Sequence, residues 1–73
     1  MKVNYDGDGD TLSFLLSDGQ IHHAEEHGVI IVNFDENDGL VEIEILNASK
    51  VIGGLVEAIA QAKPGSKMIE LKV

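Results

Sequence analysis

Polar and apolar residues alternate from the first position. Met1, Val3 and Tyr5 are separated by Lys2 and Asn4, a period of two that predicts a strand with one buried face. Leu12, Phe14 and Leu16 alternate with Thr11, Ser13 and Leu15, which predicts a second strand. Between them lies Asp6-Gly-Asp-Gly-Asp10, a turn by its chemistry: glycine adopts positive φ freely and aspartate bonds its own backbone. Ser17-Asp-Gly-Gln20 is a further turn. Ile21 to Gly28 fits an irregular edge strand or a loop. Val29 to Phe34 predicts a third strand with Ile30, Val32 and Phe34 on the core side and Asn33 on the other. Asp38-Gly39 is the sharpest hairpin signal in the turn that follows. Val41, Ile43 and Ile45 then alternate with Glu42 and Glu44, the clearest case of a strand with one apolar and one solvated face.

The period changes after Ile45. Ala48, Val51, Ile52, Leu55, Val56, Ile59 and Ala62 fall on one face at 3.6 residues per turn. Asn47 or Ser49 is the expected N-cap, Lys63 sits where it complements the negative end of the helix, and Pro64-Gly65 stops it. Lys67 to Val73 predicts a last strand, with Ile69, Leu71 and Val73 inward. Residues 1–73 are therefore expected as a single α+β domain: two layers, a mostly antiparallel sheet in ββββαβ order, and one amphipathic helix as its cover. The first four strands are expected as a meander, and the last one pairs either with the first or with another chain. In such a meander the turns at Asp6–Asp10 and Asp35–Gly39 share one end of the sheet. That end would gather Asp6, Asp8, Asp10, Asp35, Glu36 and Asp38 beside the helix C-terminus.

Composition narrows the function classes. Thirteen acidic residues stand against five basic ones, all lysine, for a formal net charge of −8. Phosphate-rich partners demand clustered positive charge, so nucleic acid and anionic membranes are not expected partners, and a basic protein or a metal cation is. At 73 residues with no cysteine the chain has neither a disulfide framework nor much core. The longest apolar run, Val29-Ile-Ile-Val32, is far below the roughly 20 residues of a membrane helix. No signal-peptide pattern opens the chain, and the expected location is cytoplasmic.

The front of the chain carries a recognisable pattern. It runs through Met1-Lys-Val-Asn-Tyr-Asp6, Asp10-Thr-Leu-Ser-Phe-Leu-Leu16, Gly28-Val-Ile-Ile-Val-Asn-Phe-Asp35 and Asp38-Gly-Leu-Val-Glu-Ile-Glu-Ile-Leu-Asn-Ala-Ser49. This resembles the small prokaryotic domains of unknown function grouped as DUF2283, most closely from Val41 to Ser49. The resemblance covers about two thirds of the chain, and Lys50 to Val73 departs from the pattern. It rests on hairpin turns and strand alternation, so it implies a fold and no catalytic residues. Some members are suspected halves of toxin–antitoxin-like gene pairs, which implies a protein partner.

Candidate chemistry is sparse. Asp6, Asp8 and Asp10 form a D-x-D-x-D string, but an EF-hand loop begun at Asp6 needs glycine sixth and glutamate twelfth, where Thr11 and Ser17 stand. An irregular carboxylate site using these residues with Asp35 and Asp38 remains a weak metal candidate beside a plain solvated turn. His23-Ala-Glu-Glu-His27 matches H-x-x-E-H, which needs both histidines on one helical turn and a walled cleft. Neither is expected here: His22, His23 and His27 are expected to be exposed, with adventitious metal binding by them as the alternative to a catalytic zinc. Ser13, Ser17, Ser49 and Ser66 sit in no nucleophile elbow. Gly7 and Gly9 lie between aspartates that would repel phosphate. Gly53 and Gly54 lie inside the helix, where each costs about 1 kcal/mol relative to alanine. Both fall outside the core face, and Gly54 with Ala58 makes a small-residue patch expected to contact a second subunit. The reading is a non-enzymatic interaction domain without cofactor, a homodimer, and a candidate acidic partner of a basic, toxin-like protein. The alternative is a small metal-binding protein.

Overall fold

The computed structural model describes residues 1–66 and 68–70. It is an α+β arrangement of five strands, β1 (Lys2–Asp6), β2 (Thr11–Leu15), β3 (His23–His27), β4 (Ile30–Phe34) and β5 (Leu40–Ile45), followed by one helix, α1 (Ala48–Ala60). All four strand pairings are antiparallel, in the order β1-β2-β5-β4-β3.

The ambiguous segment before Gly28 forms the edge strand β3. It joins β4 through the two-residue turn Gly28-Val29, and Gly28 has φ 62°, a conformation glycine reaches without a Cβ clash. This fifth strand changes the topology expected of the others. The strands are not a meander from the front: β1 and β2 form one hairpin, β3, β4 and β5 a meander of their own, and β5 inserts beside β2. Residues 16–22 carry the chain past the ends of β5 and β4. They are tied there by N–H groups of Leu16 and Ser17 to the Val41 carbonyl (2.8 and 3.3 Å) and of His22 to the Phe34 carbonyl (2.7 Å). The Leu16 bond extends the β2–β5 ladder by one residue, while on its other side β5 has one residue more than β4: Asn33 faces Glu42 and Phe34 faces Leu40. Val41 itself is buried.

Cross-strand register sorts the side chains by face, because residues directly opposite point the same way. One face carries the rows Val3–Phe14–Ile43–Val32–Glu25 and Tyr5–Leu12–Ile45–Ile30–His27. The other carries Lys2–Leu15–Glu42–Asn33–Ala24 and Asn4–Ser13–Glu44–Ile31–Glu26. The first is apolar across four strands and turns polar only on β3.

The helix starts against the β1–β2 turn. The N–H of Ala48 donates to the Asp10 carbonyl at 2.9 Å, and the N–H of Leu46 donates to the Val29 carbonyl at 2.8 Å. Ala48 is buried. Val51, Ile52, Leu55 and Ala58 are half-buried, whereas Val56 and Ile59 are 58% and 59% exposed. The apolar stripe is thus only partly buried. The helix ends at Ala60 with Gln61 as its C-cap, earlier than the pattern suggested, so Lys63 lies beyond the last turn. Met68–Glu70 carry no strand, and the rest of the expected last strand, Lys67 and 71–73, lies outside the described residues.

Among the described residues only Val41, Ala48 and Asn33 are buried, each with 3–5% of its surface still exposed. The accessible surface is 5588 Å², against about 4,400 Å² for a compact monomer of this mass. The radius of gyration is 14.3 Å, against about 11 Å for a compact chain of this length. One helix, roughly 10 Å wide, cannot cover five strands spaced about 4.8 Å apart.

Candidate interaction surfaces

Among the described residues Asp10 has the most connected polar side chain. Its Oδ1 accepts the Tyr5 hydroxyl at 2.7 Å and the Ser49 N–H at 3.0 Å, and its Oδ2 accepts the Ser49 hydroxyl at 2.7 Å. It thereby satisfies an unpaired donor in the first helical turn from 39 residues away, the work expected of a local N-cap. Asn47, at the cap position, is left-handed (φ 53°, ψ 41°) and makes no side-chain cap bond. The bonds from Ser49 and Tyr5, with the nearby charge of Lys50, hold the Asp10 carboxyl below the usual carboxylate range. The Tyr5 hydroxyl is shifted the opposite way, by its bond to Asp10, desolvation and the charges of Asp10 and Asp6. Asp10 is therefore a latch between turn and helix. Asp6, which shares the turn, accepts the Asp8 N–H at 3.1 Å.

The other aspartate turn is organised by Asp35, whose Oδ1 accepts the N–H groups of Asn37 and Gly39, each at 2.8 Å. Asp38 has φ 62°. Strand directions place this turn at the opposite end of the sheet from Asp6–Asp10, which overturns the shared acidic pole expected from a meander. The extra strand β3 makes Asp35–Gly39 the fourth connection of the sheet, where the meander had it as the third. The helix accordingly brings its N-terminus, not its C-terminus, to the Asp6–Asp10 end.

The solvated sheet face holds a different acidic cluster. Asn33 is 5% exposed, and its Nδ2 donates to Glu42 Oε1 at 2.9 Å and to Glu44 Oε1 at 2.8 Å. The two glutamates are neighbours on one face of β5 and share Asn33 as their hydrogen-bond donor. The Glu44 carboxyl beside it pushes the Glu42 carboxyl up, with desolvation adding to the shift and the Asn33 bond opposing it. Two carboxylates this close cannot both ionise freely. Glu26 lies on the same face one strand beyond Ile31, and Lys2 is the one basic residue in these rows. The V-E-I-E-I alternation already placed Glu42 and Glu44 side by side. Their link to Asn33 depends on the β4–β5 register, for which the sequence carries no local signal.

His23 and His27 lie on a strand, so H-x-x-E-H does not form a helical metal clamp. His23 and His27 stand four residues apart on β3, about 13 Å along it, and Glu26 points to the other face. His23 stacks on Phe34 (centroids 5.2 Å apart, 16° between planes) and its Nε2 lies 3.1 Å from Asp38 Oδ1. His22 Nδ1 is 3.1 Å from His23 Nδ1, and His27 Nε2 is 3.6 Å from Glu25 Oε2. Among the described residues, no three histidines, aspartates or glutamates stand close enough together to hold a metal ion. None of the described helices is long and apolar enough to cross a membrane.

Of the small-residue patch, Gly54 is exposed and a Cβ built on it or on Gly53 would meet nothing within 4 Å. Ala58 is half-buried. Large apolar side chains are exposed elsewhere, at Val3 and Tyr5 on β1 (55% and 53%) and at Val56 and Ile59 on α1.

A five-stranded antiparallel sheet with a single helix after it, latched to the first hairpin, defines a small α+β class. The chain belongs to the DUF2283 family, described as proteins of unknown function, whose model matches residues 2–49. The matched stretch takes in all five strands and stops at Ser49, the residue Asp10 holds. No curated protein and no solved structure matches the chain.

Proposed function

We propose that this chain is a non-enzymatic interaction domain whose partner is a basic protein, with a second copy of itself as the other contact. The observation that supports this most is the Glu42–Glu44 pair over Asn33 on the open face of the sheet. The pair sits in a chain of net charge −8 and repels itself at neutral pH. A lysine or arginine from a partner, set between the two carboxylates, would replace that repulsion with charge-assisted hydrogen bonds. Complementary charge also speeds encounter and selects against acidic and nucleic-acid competitors. The toxin-like partner suspected for some family members fits this chemistry. The metal-binding alternative has less support, since Asp6, Asp10 and Asp35 are occupied with backbone and hydroxyl donors and the two aspartate turns sit at opposite ends of the sheet.

The test is affinity capture from the native organism with two baits, the wild-type chain and a Glu42→Lys/Glu44→Lys variant checked for folding by circular dichroism. A basic protein retained by the first bait and lost from the second is expected. Equal retention by both baits would show that the face is not the contact.

A further inference from the structure

The two edges of the sheet differ in what they offer another strand. On β3, antiparallel self-pairing centred on Glu25 sets Glu25 opposite its own copy, with Glu26 next to it, and like charges directly opposite are destabilising. On β1 the sequence Lys2-Val-Asn-Tyr-Asp6 is complementary to itself when reversed. Centred on Asn4, it sets Lys2 opposite Asp6 of the second copy, Val3 opposite Tyr5, and Asn4 opposite Asn4. Both ends become opposite-charge pairs. Val3 and Tyr5, which stand on the apolar face and are more than half exposed, become aromatic–β-branched cross-strand pairs.

We propose that β1 pairs antiparallel with β1 of a second copy about a two-fold axis through Asn4, joining two sheets into one of ten strands. This specifies the second-copy contact of the function proposed above, and rests on that part of it. The contact is isologous, as a closed dimer requires, and it covers an edge that pairs with no further strand among the described residues. The interface differs from the Gly54–Ala58 patch, which lies on the helix.

The chain has no cysteine, so one introduced thiol reports the register. In the paired arrangement the two Asn4 Cα atoms lie about 4.5–5.5 Å apart, within disulfide reach. An Asn4→Cys variant should oxidise to a covalent dimer under mild conditions, while Glu25→Cys on the opposite edge should not. Light scattering should find a dimer for wild type. Lys2→Glu or Asp6→Lys alone should weaken it roughly tenfold or more, and the double reversal should restore it. Circular dichroism on each variant separates loss of pairing from loss of fold. A wild-type chain monomeric at millimolar concentration overturns the proposal. So does cross-linking through Glu25→Cys in place of Asn4→Cys, or a double reversal that fails to rescue. A monomer whose β1 amide protons resist exchange would place the chain's own segment 67–73 on that edge, which also refutes it. If such a monomer still binds a decalysine probe, the basic-partner reading stands and only the self-pairing falls.

Discussion

Replacing Gly53 and Gly54 together with alanine should stabilise the protein. Both lie in the interior of the 13-residue helix α1, and both are exposed. A Cβ at either position meets nothing within 4 Å, so no packing cost offsets the gain. In helix interiors glycine is about 0.8–1 kcal/mol less favourable than alanine. Where the native conformation suits both residues, measured gains run at about 0.4–1 kcal/mol each, largely through the entropy of the unfolded chain. The double variant should therefore gain roughly 1–2 kcal/mol. For a domain of this size that is a rise in Tm of roughly 5–15 °C. Thermal and urea unfolding by circular dichroism, each at two protein concentrations, measures it. A loss of stability that grows with protein concentration would refute the reasoning. It would mean that another backbone comes close to this face, as a subunit contact through Gly54 and Ala58 requires.

Three further outcomes follow from the polar clusters. Glu42→Gln replaces one of two crowded carboxylates with a donor and should raise neutral-pH stability by about 0.5–1.5 kcal/mol. Because the folded Glu42 carboxyl titrates above its ordinary range, its favourable contribution is complete below the unfolded value and is lost as pH rises through the folded one. The gap between variant and wild type should thus close on acidification, and a gap independent of pH in urea titrations would contradict the pairing. Asp10 has the opposite sign: its folded carboxyl titrates below its ordinary range, so its contribution is present above the unfolded value and lost as pH falls through the folded one. Asp10→Asn should lower helix content at neutral pH and remove that acid-induced loss, read as ellipticity against pH. Gly39→Ala would place a Cβ 2.6 Å from Asp35 Oδ2, dislodging a carboxylate that holds two backbone N–H groups. It should cost roughly 1–3 kcal/mol, and an unchanged urea midpoint would show that the turn relaxes freely.

Much of the sheet was legible in the sequence because its strands alternate cleanly. The period of two in Val41–Ile45 and Ile30–Phe34 named the apolar face correctly, and the change of period after Ile45 located the helix. What failed was long-range order. His-Ala-Glu-Glu-His has little apolar alternation, since β3 is an edge whose face residues His23, Glu25 and His27 are polar. With that strand undecided, the parity of every later turn was undecided too, and the shared acidic pole was lost with it. The source of the helix-capping bond was missed for a related reason. Asn47 and Ser49 are good local caps, but the carboxylate that serves Ser49 comes from Asp10, and nothing local to either residue reports a contact across 39 positions. Asn33 was placed on the polar side, yet its burial depends on Glu42 and Glu44 folding over it from the next strand.

The acidic sheet face is tested most directly by backbone NMR of the ¹⁵N-labelled chain titrated with decalysine. Shifts should concentrate at Ser13, Asn33, Glu42 and Glu44. They should weaken as salt rises from roughly 0.05 to 0.5 M, where screening shortens the reach of the charges, and should be lost in Glu42→Gln/Glu44→Gln. Shifts confined to the aspartate turns, or a response unchanged in the double variant, would contradict the assignment of this face as the partner surface.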